Sequence, residues 1–199
     1  MVKVFIEGGG DSEMLHDELR RGFRMFFLKA GCKGNMPRIV AGGGREQTYD
    51  CFKTAVTQGE QAMLLVDSEA HVTCESPWEH FKMRPGDQNM TKPQGASDKD
   101  DDVYLMVCCM ESWFLADRDA LKAYFGQGYN ENALPDINNP VESNSKQSVL
   151  DGLKNATRHC KTKRPYAKGE HSFALIGRID PAKVEQASTW ARKLLEKLR

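Results

Sequence analysis

No apolar run among the 199 residues approaches the roughly 18 consecutive positions that a membrane-spanning helix needs. No Gly-Lys-Ser or Gly-Lys-Thr follows a glycine-rich stretch, which excludes a Walker A phosphate loop. The glycines at Gly8-Gly9-Gly10 are consecutive, without the spacing of a dinucleotide fingerprint, and Glu7 stands where phosphate charge would go. Six cysteines are present, but none forms a Cys-x-x-Cys pair and their spacing fits no usual zinc framework. Internal repeats and low-complexity tracts are absent as well. The opening residues run straight into an apolar strand pattern without the length or cleavage site of a signal peptide. A cytoplasmic location with reduced thiols is therefore expected.

Net charge is also missing, with 28 Lys and Arg against 28 Asp and Glu, yet the charge is unevenly spread. Residues 143–199 carry 13 basic and 5 acidic side chains, and residues 1–142 carry 15 and 23. An acidic part beside a basic part suits a polyanionic substrate such as nucleic acid. The competing reading is a solvated basic surface on C-terminal helices. A hydrophobic content of 40% and a charged content of 28% describe an ordinary globular chain, and the length fits one domain. Residues 1–125 read as its α/β core and 126–199 as a basic, mainly helical extension.

The periodicities place strands at 2–6, 38–41, 62–66 and 103–109. Helices are expected from Asp11 or Ser12 to about Ala30, over 46–57, from Glu111 onward, over 119–125, from Ser145 to about His159, and from Pro181 to Leu198. Residues 77–81 read as one helical turn, 171–176 as either strand or helix, and 129–140 as irregular. The stretch from Arg84 to Asp102 is rich in Gly, Pro and Asp and reads as a long loop. The βαβαβ alternation argues for a Rossmann-like α/β fold, with a mostly parallel sheet of about four strands and helices on both faces.

Two strands end in acids. Val4-Phe5-Ile6 leads into Glu7, the glycines and Asp11, and Leu64-Leu65-Val66 leads into Asp67-Ser68-Glu69. Ligands of an open α/β sheet bind at the carboxyl ends of its strands. Carboxylates gathered there repel one another unless a cation neutralises them, and a hard ion such as Mg²⁺ or Mn²⁺ suits oxygen ligands. Gly8 and Gly9 would let backbone approach a phosphate or metal closely. Glu111 opens the segment after the fourth strand and is a further ligand candidate, while Trp113 and Phe114 beside it read as core. Arg45, after Gly42-Gly43-Gly44, would point into the same crevice and clamp a phosphate. His71 and His80 have no visible partner and read as exposed loop residues. His159-Cys160 is a weak metal candidate, and Cys108 and Cys109 read as core.

These residues carry a resemblance. The glutamate and glycine turn after strand one, with the acid pair after a later strand, resemble the Toprim domain of topoisomerases, primases and overcoming-lysogenization-defect nucleases. Within that group the chain looks like the bacterial family called domain of unknown function 4276. Matching segments are Val4-Phe5-Ile6-Glu7-Gly8, Leu65-Val66-Asp67-Ser68-Glu69, Glu111-Ser112-Trp113-Phe114-Leu115-Ala116-Asp117 and Arg178-Ile179-Asp180. The resemblance implies that Glu7 matches the Toprim glutamate, Asp11 the acid four residues on, and Asp67 and Glu69 the two acids of a D-x-D motif. Glu69 departs from that motif by one methylene. A matching lysine is not fixed by the resemblance, and Lys146 and Lys168 are the candidates.

The expectation is a Mg²⁺- or Mn²⁺-dependent nuclease. Glu7, Asp67 and Glu69 would hold the metal, Asp11 and Glu111 would complete the shell, and Arg45, Arg164 and Lys146 or Lys168 would meet phosphate. Relatives of this kind imply a nearby ABC/AAA-type ATPase partner in a phage-defence or toxin-like module. Alternatives are a regulatory subunit that cleaves nothing and, less favoured, a nucleotide-binding phosphotransferase.

Overall fold

The computed structural model describes residues 1–136 and 140–199. Four strands form one sheet: β1 (Lys3–Ile6), β2 (Arg38–Ala41), β3 (Ala62–Asp67) and β4 (Val103–Met106). Their spatial order is β2-β1-β3-β4 and every pairing is parallel. β1 is interior, with Phe5 opposite Val40 on one side and Leu64 on the other. Buried parallel strands are apolar on both faces, and these alternate between two cores. Val4, Ile6, Met63, Leu65, Tyr104 and Met106 face one, and Phe5, Leu64, Val66, Val103 and Leu105 face the other.

Helix α1 (Glu13–Lys29) covers the first face with Leu19, Phe23, Phe26 and Phe27, after Ser12 caps it by accepting from the Leu15 amide. Helix α2 (Arg45–Thr57) covers the second face with Tyr49, Phe52, Ala55 and Val56. The chain thus leaves β1 toward β2 and returns past β1 to β3. That reversal opens a crevice between the carboxyl ends of β1 and β3, where side chains from both strands meet.

Helix α3 (Pro77–Met83) is longer than the single turn expected, with Pro77 at its first position. It carries His80, which is buried and not a loop residue, because its Nε2 lies 2.8 Å from the Ser68 carbonyl. Residues 84–102 contain no helix or strand, in keeping with a long loop. β4 ends at Met106, three residues short of the expected boundary, because Cys108 adopts φ 62° and breaks the extended run. Met110–Ala116 then forms a 3₁₀ helix in place of the expected α-helix. Trp113 is buried in it and stacks on Phe26 at 5.5 Å.

Helix α4 (Arg118–Phe125) follows, capped by Asp117, and α5 (Lys146–Thr157) is capped by Ser145. The irregular stretch expected over 129–140 holds a 3₁₀ turn at Glu131–Ala133, and its residues 137–139 lie outside the described residues. The ambiguous segment is helix α6 (Ser172–Ile176), packed so tightly on α1 that a Cβ on Gly22 would run into the Phe173 carbonyl. The closing helix is in fact two, α7 (Pro181–Ala187) and α8 (Thr189–Leu198). Buried Ser188 separates them in an extended conformation. Its hydroxyl accepts from the Ala191 amide and donates to Glu142 Oε1 at 2.6 Å. The six cysteines are unpaired. No helix among the described residues is long and apolar enough to cross a membrane.

Candidate functional site

The turn after β1 is built on three glycines in the left-handed half of backbone space, with φ of 143°, 87° and 51° at Gly8, Gly9 and Gly10. A Cβ on Gly9 would stand 2.5 Å from His16 Cδ2, so a side chain there clashes as well as straining the backbone. The turn walls a cavity of about 250 Å³ together with Glu7, Asp67, Lys168 and Ser172. A larger, open depression of about 630 Å³ along α2 is lined by Glu46, Asp50, Lys3 and Glu60, away from the clustered acids.

Glu7 and Asp67 meet across the crevice. Glu7 Oε2 accepts from the Asp67 amide at 3.2 Å and from Arg45 Nη1 at 2.9 Å. Arg45 also donates to the Asp67 carbonyl, and its Nε and Nη2 grip both oxygens of Asp87, at 2.9 and 2.8 Å. The guanidinium expected to clamp a phosphate is thus engaged by the protein's own acids. It pins the long loop, through Asp87, over the end of β1. Burial raises Asp87, but the hydrogen bonds from Arg45 and Arg84 outweigh it and hold the carboxyl below its usual range.

Asp67 Oδ1 accepts from the Met110 amide at 2.7 Å, which aims Oδ2 at two lysines. Lys168 Nζ lies 3.3 Å away and Lys146 Nζ 4.0 Å away. Lys146 also grips Glu69 through both carboxylate oxygens at 2.6 Å. Glu69 holds φ 64°, a costly conformation for a residue with a side chain, and such strain gathers at functional sites. Lys168 reaches on to Glu111 Oε2 at 3.8 Å. Glu111 is wholly buried, and its other oxygen accepts from Tyr166 at 2.8 Å and Ser172 at 3.3 Å. Its Oε2 has no hydrogen-bond partner.

The electrostatics follow from this packing. Burial pushes Asp67 up to about 7; the charges of Glu111 and Glu7 add to the rise, and Lys168 and Lys146 oppose it. Burial likewise raises Glu7, against Arg45 and with help from Glu69. Burial lowers Lys168, but Asp67 and Glu111 outweigh it and hold the ammonium above its usual range. The nearby Cys108 and Cys109 thiols are pushed up to about 11 and 12 by burial, so they are poor nucleophiles at neutral pH.

The structure therefore brings together Glu7, Asp67, Glu69, Glu111, Arg45, Lys146 and Lys168, with Gly8 and Gly9 in the cavity wall. Asp11 stays exposed in the turn before α1, and Arg164 is exposed on the basic loop before Lys168. Asp87, Tyr166 and Ser172 were not legible as site residues. They act through folded contacts, and no local spacing marks them. Among the described residues, no three His, Cys, Asp or Glu side chains form a ready metal-holding group as they lie.

One family, described as a domain of unknown function (DUF4276), matches residues 6–199. No curated protein and no solved structure matches the chain.

Proposed function

The chain belongs to the DUF4276 family, and on that premise we propose that it is a Mg²⁺- or Mn²⁺-dependent phosphodiesterase acting on nucleic acid. The observation that carries the reading is the buried Oε2 of Glu111, which has no hydrogen bond and only the distant Lys168 ammonium, 3.8 Å away and shared with Asp67, at the crevice between β1 and β3. A buried carboxyl oxygen without a hydrogen bond is expensive, and a divalent cation would satisfy it. The donor set is all carboxylate oxygen, which suits a hard ion. The fit needs the acids to exchange their lysine partners for the ion.

Glu7, Asp67, Glu69 and Glu111 would hold the cation, with Asp11 within chain reach at the rim. A bound divalent ion supplies Lewis-acid stabilisation of phosphoryl oxygens and lowers the pKa of water. Arg45 fixes the carboxylate of Glu7, and Met110 fixes that of Asp67 through its amide. Tyr166 and Ser172 hold Glu111. Lys146 and Lys168 neutralise phosphate charge, and Arg164 extends the basic rim for a strand to follow. The Toprim resemblance favours the same roles for Glu7, Asp67 and Glu69. It also favours an ATPase partner of the ABC/AAA type, a setting in phage defence or a toxin-like module, and a cytoplasmic location.

One observation favours a second reading. The acids already carry cationic partners within the chain, which would suit a regulatory subunit of such an ATPase that cleaves nothing. The deciding experiment incubates plasmid, single-stranded DNA and tRNA with Mn²⁺ and the wild-type chain, with and without its ATPase. Glu7→Gln and Asp67→Asn run alongside. Cleavage lost in both variants supports the nuclease. No cleavage under any condition, with no Mn²⁺-dependent rise in melting temperature, leaves the regulatory subunit.

A further inference from the structure

Four carboxylates and three cations share the crevice, and each acid already has a cationic partner, although Glu111 Oε2 has no hydrogen bond. Lys146 holds both oxygens of Glu69 at 2.6 Å. Lys168 lies between Asp67 and Glu111 at 3.3 and 3.8 Å. A divalent cation entering alone must displace ammonium groups, which then lose their counter-charge. A phosphate entering alone finds those same ammonium groups occupied by carboxylates. When both enter, each charge keeps an opposite partner: the acids go to the metal and the lysines to the phosphate. The side chains have freedom for this exchange, since Lys168 is 50% and Lys146 29% exposed while Asp67 is 7% exposed. The lysines can swing; Asp67 is fixed by a backbone amide and Glu111 by buried hydroxyls.

We propose that Lys146 and Lys168 are exchange residues that make metal binding and phosphodiester binding mutually dependent. The inference rests on the metal-site reading above and adds a thermodynamic property to it. The chain alone is a poor metal binder, and a polyanionic strand converts it into a good one. Linkage requires the reciprocal effect, so the metal tightens the strand by the same factor. The site then loads its metal on substrate, and the free chain keeps its acids internally neutralised.

The test titrates Mn²⁺ into the full chain by electron paramagnetic resonance, with and without a short phosphorothioate oligonucleotide. Manganese held by the oligonucleotide alone is subtracted. The expected result is a rise in Mn²⁺ affinity of about tenfold or more with the oligonucleotide, within the usual range for coupled sites. The double variant Lys146→Gln with Lys168→Gln should bind Mn²⁺ more tightly than wild type without the strand. In that variant the oligonucleotide should change the affinity little. The Lys146→Arg with Lys168→Arg variant keeps the charges and should keep the coupling, which guards against a mere loss of folding. Wild-type affinity that is the same with and without the strand overturns the exchange and leaves the metal site standing. Mn²⁺ bound by no variant under any condition overturns the metal site as well.

Discussion

Two buried aspartates, Asp67 and Asp117, answer burial in opposite ways. Asp117 Oδ1 accepts from Lys183 at 2.7 Å and from the Ala120 amide at 3.4 Å, and its Oδ2 accepts from the Asp180 amide at 2.8 Å. Burial raises it, but the bonds from Lys183 and the two amides outweigh burial and hold the carboxyl below its usual range. Asp67 has one backbone amide and two lysines at longer range, with two acids nearby, and burial prevails. The first carboxylate is fully engaged in joining α4 to the turn before α7. The second is held open at a strand end where ligands of such sheets bind. Incomplete satisfaction of a buried acid, more than its burial, separates the site from the scaffold here.

The sharpest way to break this comparison is to neutralise each acid and read activity. Asp67→Asn and Glu7→Gln should each lower Mn²⁺-dependent cleavage by about three orders of magnitude. A cation site supplies several kcal/mol of charge stabilisation, and each ~1.4 kcal/mol is a factor of ten. Asp117→Asn keeps an oxygen that can still accept, so Asp117→Ala, which removes every bond at once, is the better control. Asp117→Ala should cost about 2 kcal/mol in a urea melt, from a lost cap and a part-buried Asp180 amide left without its acceptor. Asp67→Asn should leave the melt unchanged or improve it, because it removes repulsion with Glu7 and Glu111.

The two acids also predict opposite pH responses. Asp67 binds its proton more tightly when folded, so its contribution to stability is fully present only below the ordinary carboxyl range. That contribution is lost as pH rises toward and through about 7. Asp117 is depressed, so its contribution is present above the ordinary carboxyl range and lost as pH falls through it. Melting curves from pH 5 to 8 in chelator should show a decline that Asp67→Asn weakens, with Glu7 supplying the remainder. The smallest expected effect is Tyr166→Phe, which removes one donor from Glu111 Oε1 while Ser172 remains. It should cost about 1 to 2 kcal/mol of stability. An unchanged melt would show that Glu111 does not depend on that hydroxyl.

Much of the scaffold was legible because its signals are local. The apolar run of Val4, Phe5 and Ile6, and the acids closing two strands, point directly to the sheet and to the edge where its acids gather. Lys146 and Lys168 were legible only as candidates, since a lysine carries no local sign of what it will reach. Asp87 was hidden because its role depends on a loop folding back onto Arg45. Ser188 was hidden because the apolar stripe from Val184 to Leu198 continues in period through the break. The serine's cap and its bond to Glu142 decide there against one long helix. His80 was misread as Asp87 was missed, because its partner is brought to it only by folding: the carbonyl of Ser68, just past the end of β3.

The central claim is that the acids between β1 and β3 hold a divalent cation. Its most direct test is an anomalous-scattering map from crystals grown with Mn²⁺ and the phosphorothioate oligonucleotide. The account predicts a manganese peak about 2.0 to 2.6 Å from carboxylate oxygens of Asp67 and Glu111, with Lys168 turned away toward phosphate. A map without manganese at that crevice, with Lys168 still between Asp67 and Glu111, would contradict it.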